Sequence, residues 1–295
     1  MADHPRFGPA GMPITFRTVS NSVIDVPAYL RSKGLDAFEY QAVRWGQKPR
    51  IKKENAAVLG ENAKRYDVWL SMHGSYYINL AGEKNVRESS RKRLIACVTA
   101  ANWMKANVMV FHVGYYGRYT SREALKLCSK TIADIIEELK ILGIESVSLG
   151  LETSGRRSQI GSLEEIVSLC ELTEKTQPVI DWSHLHARDW GRLKTIEDFR
   201  KVIDKIESRL GTFIAKNLHC HFSKIEFTNK GERCHHTLEE KKYGPDFRLL
   251  AKVIAEIGLN PVIISESPIL DIDALKMQKM VMEELKHTEK RAADY

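Results

Sequence analysis

Residues 107–152 read NVMVFHVGYYGRYTSREALKLCSKTIADIIEELKILGIESVSLGLE. The stretch opens on a short run rich in β-branched and aromatic residues, NVMVFHV from Asn107, and closes on a second, IESVSLGLE from Ile144. Both are largely apolar on successive residues, the pattern of a parallel strand buried on two faces. Between them, from Ser121 to Leu142, Leu125, Cys128, Ile132, Ile135, Ile136 and Leu139 fall on one helical stripe. Thr120 and Glu123 fit a capping box at the helix start, and Gly143 can end it. Strand, helix and strand make one β-α-β unit, and repetition of that unit builds a parallel sheet.

The unit recurs along the chain. Eight strand-like runs are present: ITFRTV from Ile14, LDAFEYQ from Leu35, DVWLSMH from Asp67, NVMVFHV, IESVSLGLE, QPVIDW from Gln177, FIAKNLHCHF from Phe213 and PVIISE from Pro261. Ser162 and Glu165 fit another capping box, and a further helix is bracketed by Pro245 and Gly258. No low-complexity linker or shift in composition divides the chain. Eight βα units in 295 residues predict a single (β/α)8 TIM barrel spanning 1–295.

Six of the runs end on a residue that ligates metals: His73, His112, Glu152, Asp181, His219 and Glu266. They follow one another at steps of 29 to 47 residues, the length of one strand, one helix and their loops. The carboxyl ends of barrel strands converge on one face, where the active sites of this fold lie. Imidazole and carboxylate suit zinc and similar divalent cations. Glu152 and Glu266 follow apolar runs, and a buried carboxylate is costly unless it is protonated, paired or bound to a cation. The spacing therefore predicts a multinuclear metal site. His184, three residues after Asp181, is placed to serve an adjacent metal, and the segment from His219 to His236 holds four imidazoles, His219, His221, His235 and His236.

Apolar residues make up 43% of the chain, enough for a sizeable core and against disorder. The net charge of +7 weakly favours a polyanionic partner. Five cysteines, odd in number and without a C-x-x-C pair, predict a reduced, intracellular, cytoplasmic protein. The amino end, MADHPRFGPAG, has no basic segment followed by an apolar one, and no run of 18 apolar residues occurs, so no membrane is expected.

Ordered along the chain, MHGSYYINLAG around His73, FHVG around His112, GLETSGRRSQIGS around Glu152, VIDWSH around Asp181, LHCHFSK around His219 with HHTL after it, and IISESP around Glu266 resemble the endonuclease IV family of apurinic/apyrimidinic endonucleases. The match runs from about Leu35 to Pro268. The resemblance implies a xylose-isomerase-like barrel holding two to three Zn2+ ions that cleaves damaged double-stranded DNA 5′ to an abasic site in base excision repair, as a monomer. It implies that His73 and His112 hold one zinc, that Glu152 bridges it to a second and is the catalytic residue, and that Asp181, His219 and Glu266 complete the second. His184 would belong to a third. Clustered cations activate water and neutralise both the attacking and leaving oxygens of an in-line displacement.

The chain departs from the family at the third site, where an Asp-x-His pair is expected. Keeping the spacing from His219 selects Glu232 and Cys234; aligning on the paired histidines selects Arg233 and His235, and Arg does not ligate metals. A one-residue insertion, with Glu232 and His235 as ligands, is the preferred reading, and this metal position is expected to be the weakest. Arg44 beside Trp45, and Tyr76 with Tyr77, resemble the family's DNA-binding loops; Arg and aromatic wedges suit a kinked duplex. The alternative is a metal-dependent sugar isomerase or epimerase of the same barrel group, which relies mainly on carboxylates.

Overall fold

The computed structural model describes residues 3–20 and 22–293. Eight parallel strands form its centre: β1 Arg6–Pro9, β2 Ala37–Gln41, β3 Trp69–His73, β4 Val108–His112, β5 Ser148–Glu152, β6 Thr176–Asp181, β7 His219–Phe222 and β8 Val262–Ser265. Neighbours in sequence pair in register from β2 round to β8, and β8 pairs with β1. The ring closes where Ala10 bridges Glu39, with Gly11 N donating to Glu39 O at 2.9 Å. A helix that packs outside the barrel follows each strand: α1 Val26–Ser32, α2 Lys53–Arg65, α3 Lys84–Trp103, α4 Ser121–Ile141, α5 Leu163–Cys170, α6 Ile196–Leu210, α7 Phe247–Ile257 and α8 Asp271–Ala293. This is the (β/α)8 barrel that the repeating unit predicts.

The helices start where local chemistry says they should. Thr120–Glu123 and Ser162–Glu165 form reciprocal capping boxes. A third, at Thr195 and Asp198, uses a shorter acid. Asp246 caps α7, and Gly258, at φ 64°, ends it in the left-handed region.

One strand departs from the expectation. ITFRTV is not β1: Ile14 N donates to Asp271 Oδ1 at 2.7 Å, Phe16–Thr18 forms a 3-10 turn, and Val19 is largely exposed. The run buries Phe16 but does not bury two faces. The strand is the preceding RFGP, whose Gly and Pro read as loop. Gly8 is required there, because a Cβ would lie 1.7 Å from the Ala37 carbonyl oxygen; the bare backbone lets β1 approach β2. FIAKNLHCHF likewise divides into a short helix, Thr212–Lys216, and β7.

After β7 the chain forms an antiparallel hairpin, Lys224–Thr228 with Gly231–His236, over the carboxyl ends of the strands. Its register shifts between Glu226 and Phe227, so that Glu226 pairs with Cys234, Phe227 with Glu232, and Arg233 is left as the extra residue of a bulge.

Candidate metal centre

Glu152, at the end of β5, lies at the centre of the barrel mouth and is fully buried. Its Oε2 is 3.1 Å from His73 Nε2 on β3 and 3.3 Å from His112 Nε2 on β4. Its Oε1 is 3.1 Å from His221 Nδ1 on β7 and 3.5 Å from His184 Nδ1. Glu266, just past β8, stands 3.4 Å from His221 Nδ1 and 3.9 Å from His235 Nε2. His73, Glu152, His221 and Glu266 form one group whose ligand atoms lie within 4.8 Å of one another. Glu152, Asp181, His184 and Glu266 form a second, and His184, His235 and Glu266 a third.

Asp181 does two things at once. Its Oδ1 accepts from His184 N at 2.8 Å, capping the seven-residue helix Trp182–Arg188. Its Oδ2 is buried without a hydrogen-bond partner. His184 Nδ1 is 3.2 Å from that oxygen, but its one hydrogen is directed at the Thr153 carbonyl, 3.0 Å away. His73 Nδ1 faces the Gly74 carbonyl at 3.0 Å, and His235 Nδ1 faces Ser223 Oγ at 2.7 Å. Each of these rings therefore has Nδ1 held by an oxygen and Nε2 turned inward, the arrangement that fixes the tautomer of a metal-ligating histidine.

The bulge at Arg233 explains how the hairpin reaches this centre. Without it, Glu232 and His235 would project from opposite faces of the strand; with it, both share the face of Ile225 and Phe227. Glu232 Oε2 comes within 3.1 Å of His184 Nε2, and the His184 and His235 rings are 5.6 Å apart.

The structure places two groups that the strand-end pattern does not single out. His221, rather than His219, faces Glu152 and Glu266. The register explains this: His221 is level with Asp181, whereas His219 is level with Val179 and Val262, one layer deeper. His219 touches Glu39 at 3.2 Å and lines a separate cavity of about 210 Å³ at the amino ends of the strands. Two residues apart on one strand, both rings point inward, so H-x-H offers two candidates to a reader of the sequence. Glu39, on β2, is the second group. It is fully buried, accepts from Ser71 Oγ at 3.0 Å and lies 3.2 Å from both His219 and His221. Its signal in the sequence is an acid directly after the apolar Ala37 and Phe38 of the second strand.

The electrostatics fit cations. Glu39, Glu152, Asp181 and Glu266 form no salt bridge with any Lys or Arg among the described residues; their charged partners are imidazoles. Burial pushes Glu266 up to about 8, aided by Glu152 and opposed by His221. Burial would raise Glu39 and Glu152 too, but the surrounding imidazoles hold both well below the usual carboxylate range. Burial opposes protonation of His73, yet Glu152 and Glu39 raise it to about 9, while His112 is held down at about 4 by burial. Proton sharing thus carries charge that a divalent cation would carry more directly. With the orphaned Asp181 Oδ2, Glu232 Oε2 and His112 Nδ1, this nitrogen and oxygen donor set suits divalent transition metals.

A cavity of about 330 Å³ opens above the centre, lined among others by Tyr76, His112, His184, Glu232, His235 and Glu266. Tyr76 is half exposed and packs edge-on to His73 at 5.5 Å and stacked on His112 at 6.1 Å. Tyr77 is exposed, with the Arg93 guanidinium 6.0 Å from its ring. Arg44 is exposed in the loop after β2, and Trp45 beside it is buried against Tyr40.

Residues 27–291 match the model of the xylose isomerase-like TIM barrel. The chain belongs to the xylose isomerase-like TIM barrel family. It is 34% identical to an uncharacterized protein of Methanocaldococcus jannaschii over 92% of this chain and 95% of that one. It is 25% identical to a probable endonuclease 4 of Persephonella marina over 65% of this chain and 68% of that one. Among solved structures of the fold, a D-tagatose 3-epimerase-like protein superposes with a TM-score of 0.66 at 19% identity, covering 92% of this chain and 97% of that one. The epimerase-like protein shares the fold of this chain, and the probable endonuclease 4 is similar to it in sequence. No described helix is long and apolar enough to cross a membrane.

Proposed function

We propose that this barrel is a zinc-dependent apurinic/apyrimidinic endonuclease that cleaves the DNA phosphodiester 5′ to abasic sites. The observation that carries the reading is the continuity of the donor set: of three groups of ligand atoms at the barrel mouth, Glu266 belongs to all, and Glu152 and His184 each belong to two. One small ligand needs no such extended site, whereas in-line displacement at a phosphodiester uses adjacent cations on the attacking and leaving oxygens. The similarity to a probable endonuclease 4 supports the same reading.

His73, His112, Glu152, Asp181, His184, His221, Glu232, His235 and Glu266 would hold the metals, with His221 taking the role the resemblance gives to His219. When bound, the cations would supply Lewis acidity and an activated water. The chain's own part is to fix the ligands through Thr153, Gly74 and Ser223 and to present Tyr76 at the rim. Arg44 and Tyr77, from loops at the same end of the barrel, would engage the duplex, and the cavity above the metals is large enough for one displaced nucleotide.

A second reading, a metal-dependent sugar isomerase or epimerase, is favoured by that same cavity, whose 330 Å³ also suits a single sugar. The test is a duplex carrying one abasic-site analogue, incubated with zinc-loaded protein, beside an epimerisation assay on ketoses. Nicking 5′ to the lesion, leaving a 3′-hydroxyl, is expected. Ketose turnover without nicking overturns the nuclease reading.

A further inference from the structure

The bulged hairpin has a second face, opposite Glu232 and His235, and it carries Glu226, Cys234 and His236. Cys234 Sγ lies 3.3 Å from His236 Nε2 and 3.4 Å from Glu226 Oε2, and His236 Nε2 is 3.6 Å from that same oxygen. Ligand atoms around a tetrahedral zinc, with bonds of about 2.0–2.3 Å, stand about 3.3–3.6 Å from one another. The three separations already match a metal's coordination shell.

Two of the three ligands are also held by groups outside the triad. His236 Nδ1 faces Glu240 Oε2 at 2.8 Å, which turns the Nε2 lone pair toward Cys234 and Glu226. Glu240 is itself anchored by Thr237 N at 3.1 Å, and Tyr243 stacks on the His236 ring at 3.8 Å. Arg233 Nη1 donates to Glu226 Oε1 at 2.7 Å, leaving Oε2 for the triad. Cys234 is exposed, so a cation reaches it from solvent.

We propose that Glu226, Cys234 and His236 form a separate mononuclear site for a zinc-class divalent cation, with a fourth position open to water. Binding releases the Cys234 proton, which otherwise bridges to Glu226, into solvent. The thiolate sets this site apart from the barrel mouth, whose donors are nitrogen and oxygen alone and therefore tolerate a wider range of divalent metals.

That difference supplies the test. Metal-free protein is titrated with cobalt(II) and followed in the near ultraviolet, where sulfur-to-cobalt charge transfer absorbs. The other four cysteines, Cys97, Cys128, Cys170 and Cys220, are buried, so the band reports Cys234 alone. A band that saturates with a single equivalent at this site and is displaced by zinc is expected. Cys234→Ser should abolish it, His236→Ala should weaken it at least about tenfold, and His184→Ala, which alters only the barrel mouth, should leave it unchanged. No sulfur band at saturating cobalt overturns the proposal. So does a band that survives Cys234→Ser, or a cobalt affinity that His236→Ala does not change.

Discussion

Glu152 is buried among four imidazoles, from β3, β4, β7 and the short helix after β6. Among the described residues no other carboxylate at the mouth pairs with so many imidazoles, so its charge is the one the site is least able to lose. Glu152→Gln keeps the volume and removes the charge. Cleavage should fall by about 10³ or more, as when a principal electrostatic stabiliser is lost, while affinity for abasic duplex changes little. Near-normal turnover would place the reacting centre elsewhere in the barrel. The histidines of β7 give a finer test, because His221 faces Glu152 and Glu266 whereas His219 faces only Glu39. His221→Asn should lower both bound metal and cleavage at least about tenfold further than His219→Asn, the span seen when a ligand rather than its neighbour is changed. The reverse order would return the ligand role to His219.

The strands and helices show what a sequence can and cannot reveal about this fold. Seven of the eight barrel strands coincide, to within a residue at the start of β6, with apolar runs that are legible without coordinates, because a parallel strand buried on both faces needs such a run. The first strand escaped because its requirement is the opposite: Gly8 must be small where β1 meets Ala37, and a Gly-Pro segment looks like a loop. Strand-end carboxylates and imidazoles were legible for the same reason the strands were, but the layer each ring occupies depends on register between strands. That is why His219 and His221 could not be separated from the sequence, and why Glu39 went unnoticed. The hairpin is the element where spacing and structure meet. The sequence leads one to expect a single inserted residue between Glu232 and His235; in the structure Arg233 is the extra residue of a bulge that puts Glu232 and His235 on one face. Deleting Arg233 should remove the bulge yet keep the Phe227–Glu232 and Ile225–His235 pairs, turning Glu-Arg-Cys-His into a regular Glu-x-His. Cleavage should then drop by no more than about tenfold, the low end of what disturbing an outer partner of a metal site costs. A complete loss of activity, with the barrel still folded by circular dichroism, would show that the bulge aims these ligands in some way other than register.

Across the whole molecule, the net charge of +7 is distributed against the site it surrounds. Among the described residues the mouth holds Glu39, Glu152, Asp181 and Glu266 without a Lys or Arg partner, while exposed Arg44, Arg156 and Arg157 on loops and Arg233 on the hairpin lie at the same end of the barrel. An anionic duplex would be drawn by the rim and repelled by an unmetallated centre. Three consequences follow for binding measured by fluorescence anisotropy. If the four rim arginines each neutralise one phosphate, the logarithm of affinity should fall with the logarithm of salt at a slope of roughly −3 to −4. Stripping the metals with a chelator should weaken binding further at every salt concentration, because the buried carboxylates then face the phosphate uncompensated, and restoring zinc should reverse the loss. Abasic duplex should bind more tightly than intact duplex at moderate salt, since unstacking costs less where a base is missing. A flat salt dependence, or equal affinity for the two duplexes with metal present, would mean that the rim does not grip a nucleic acid, and would leave the sugar-enzyme reading as the one that the cavity and the carboxylates support.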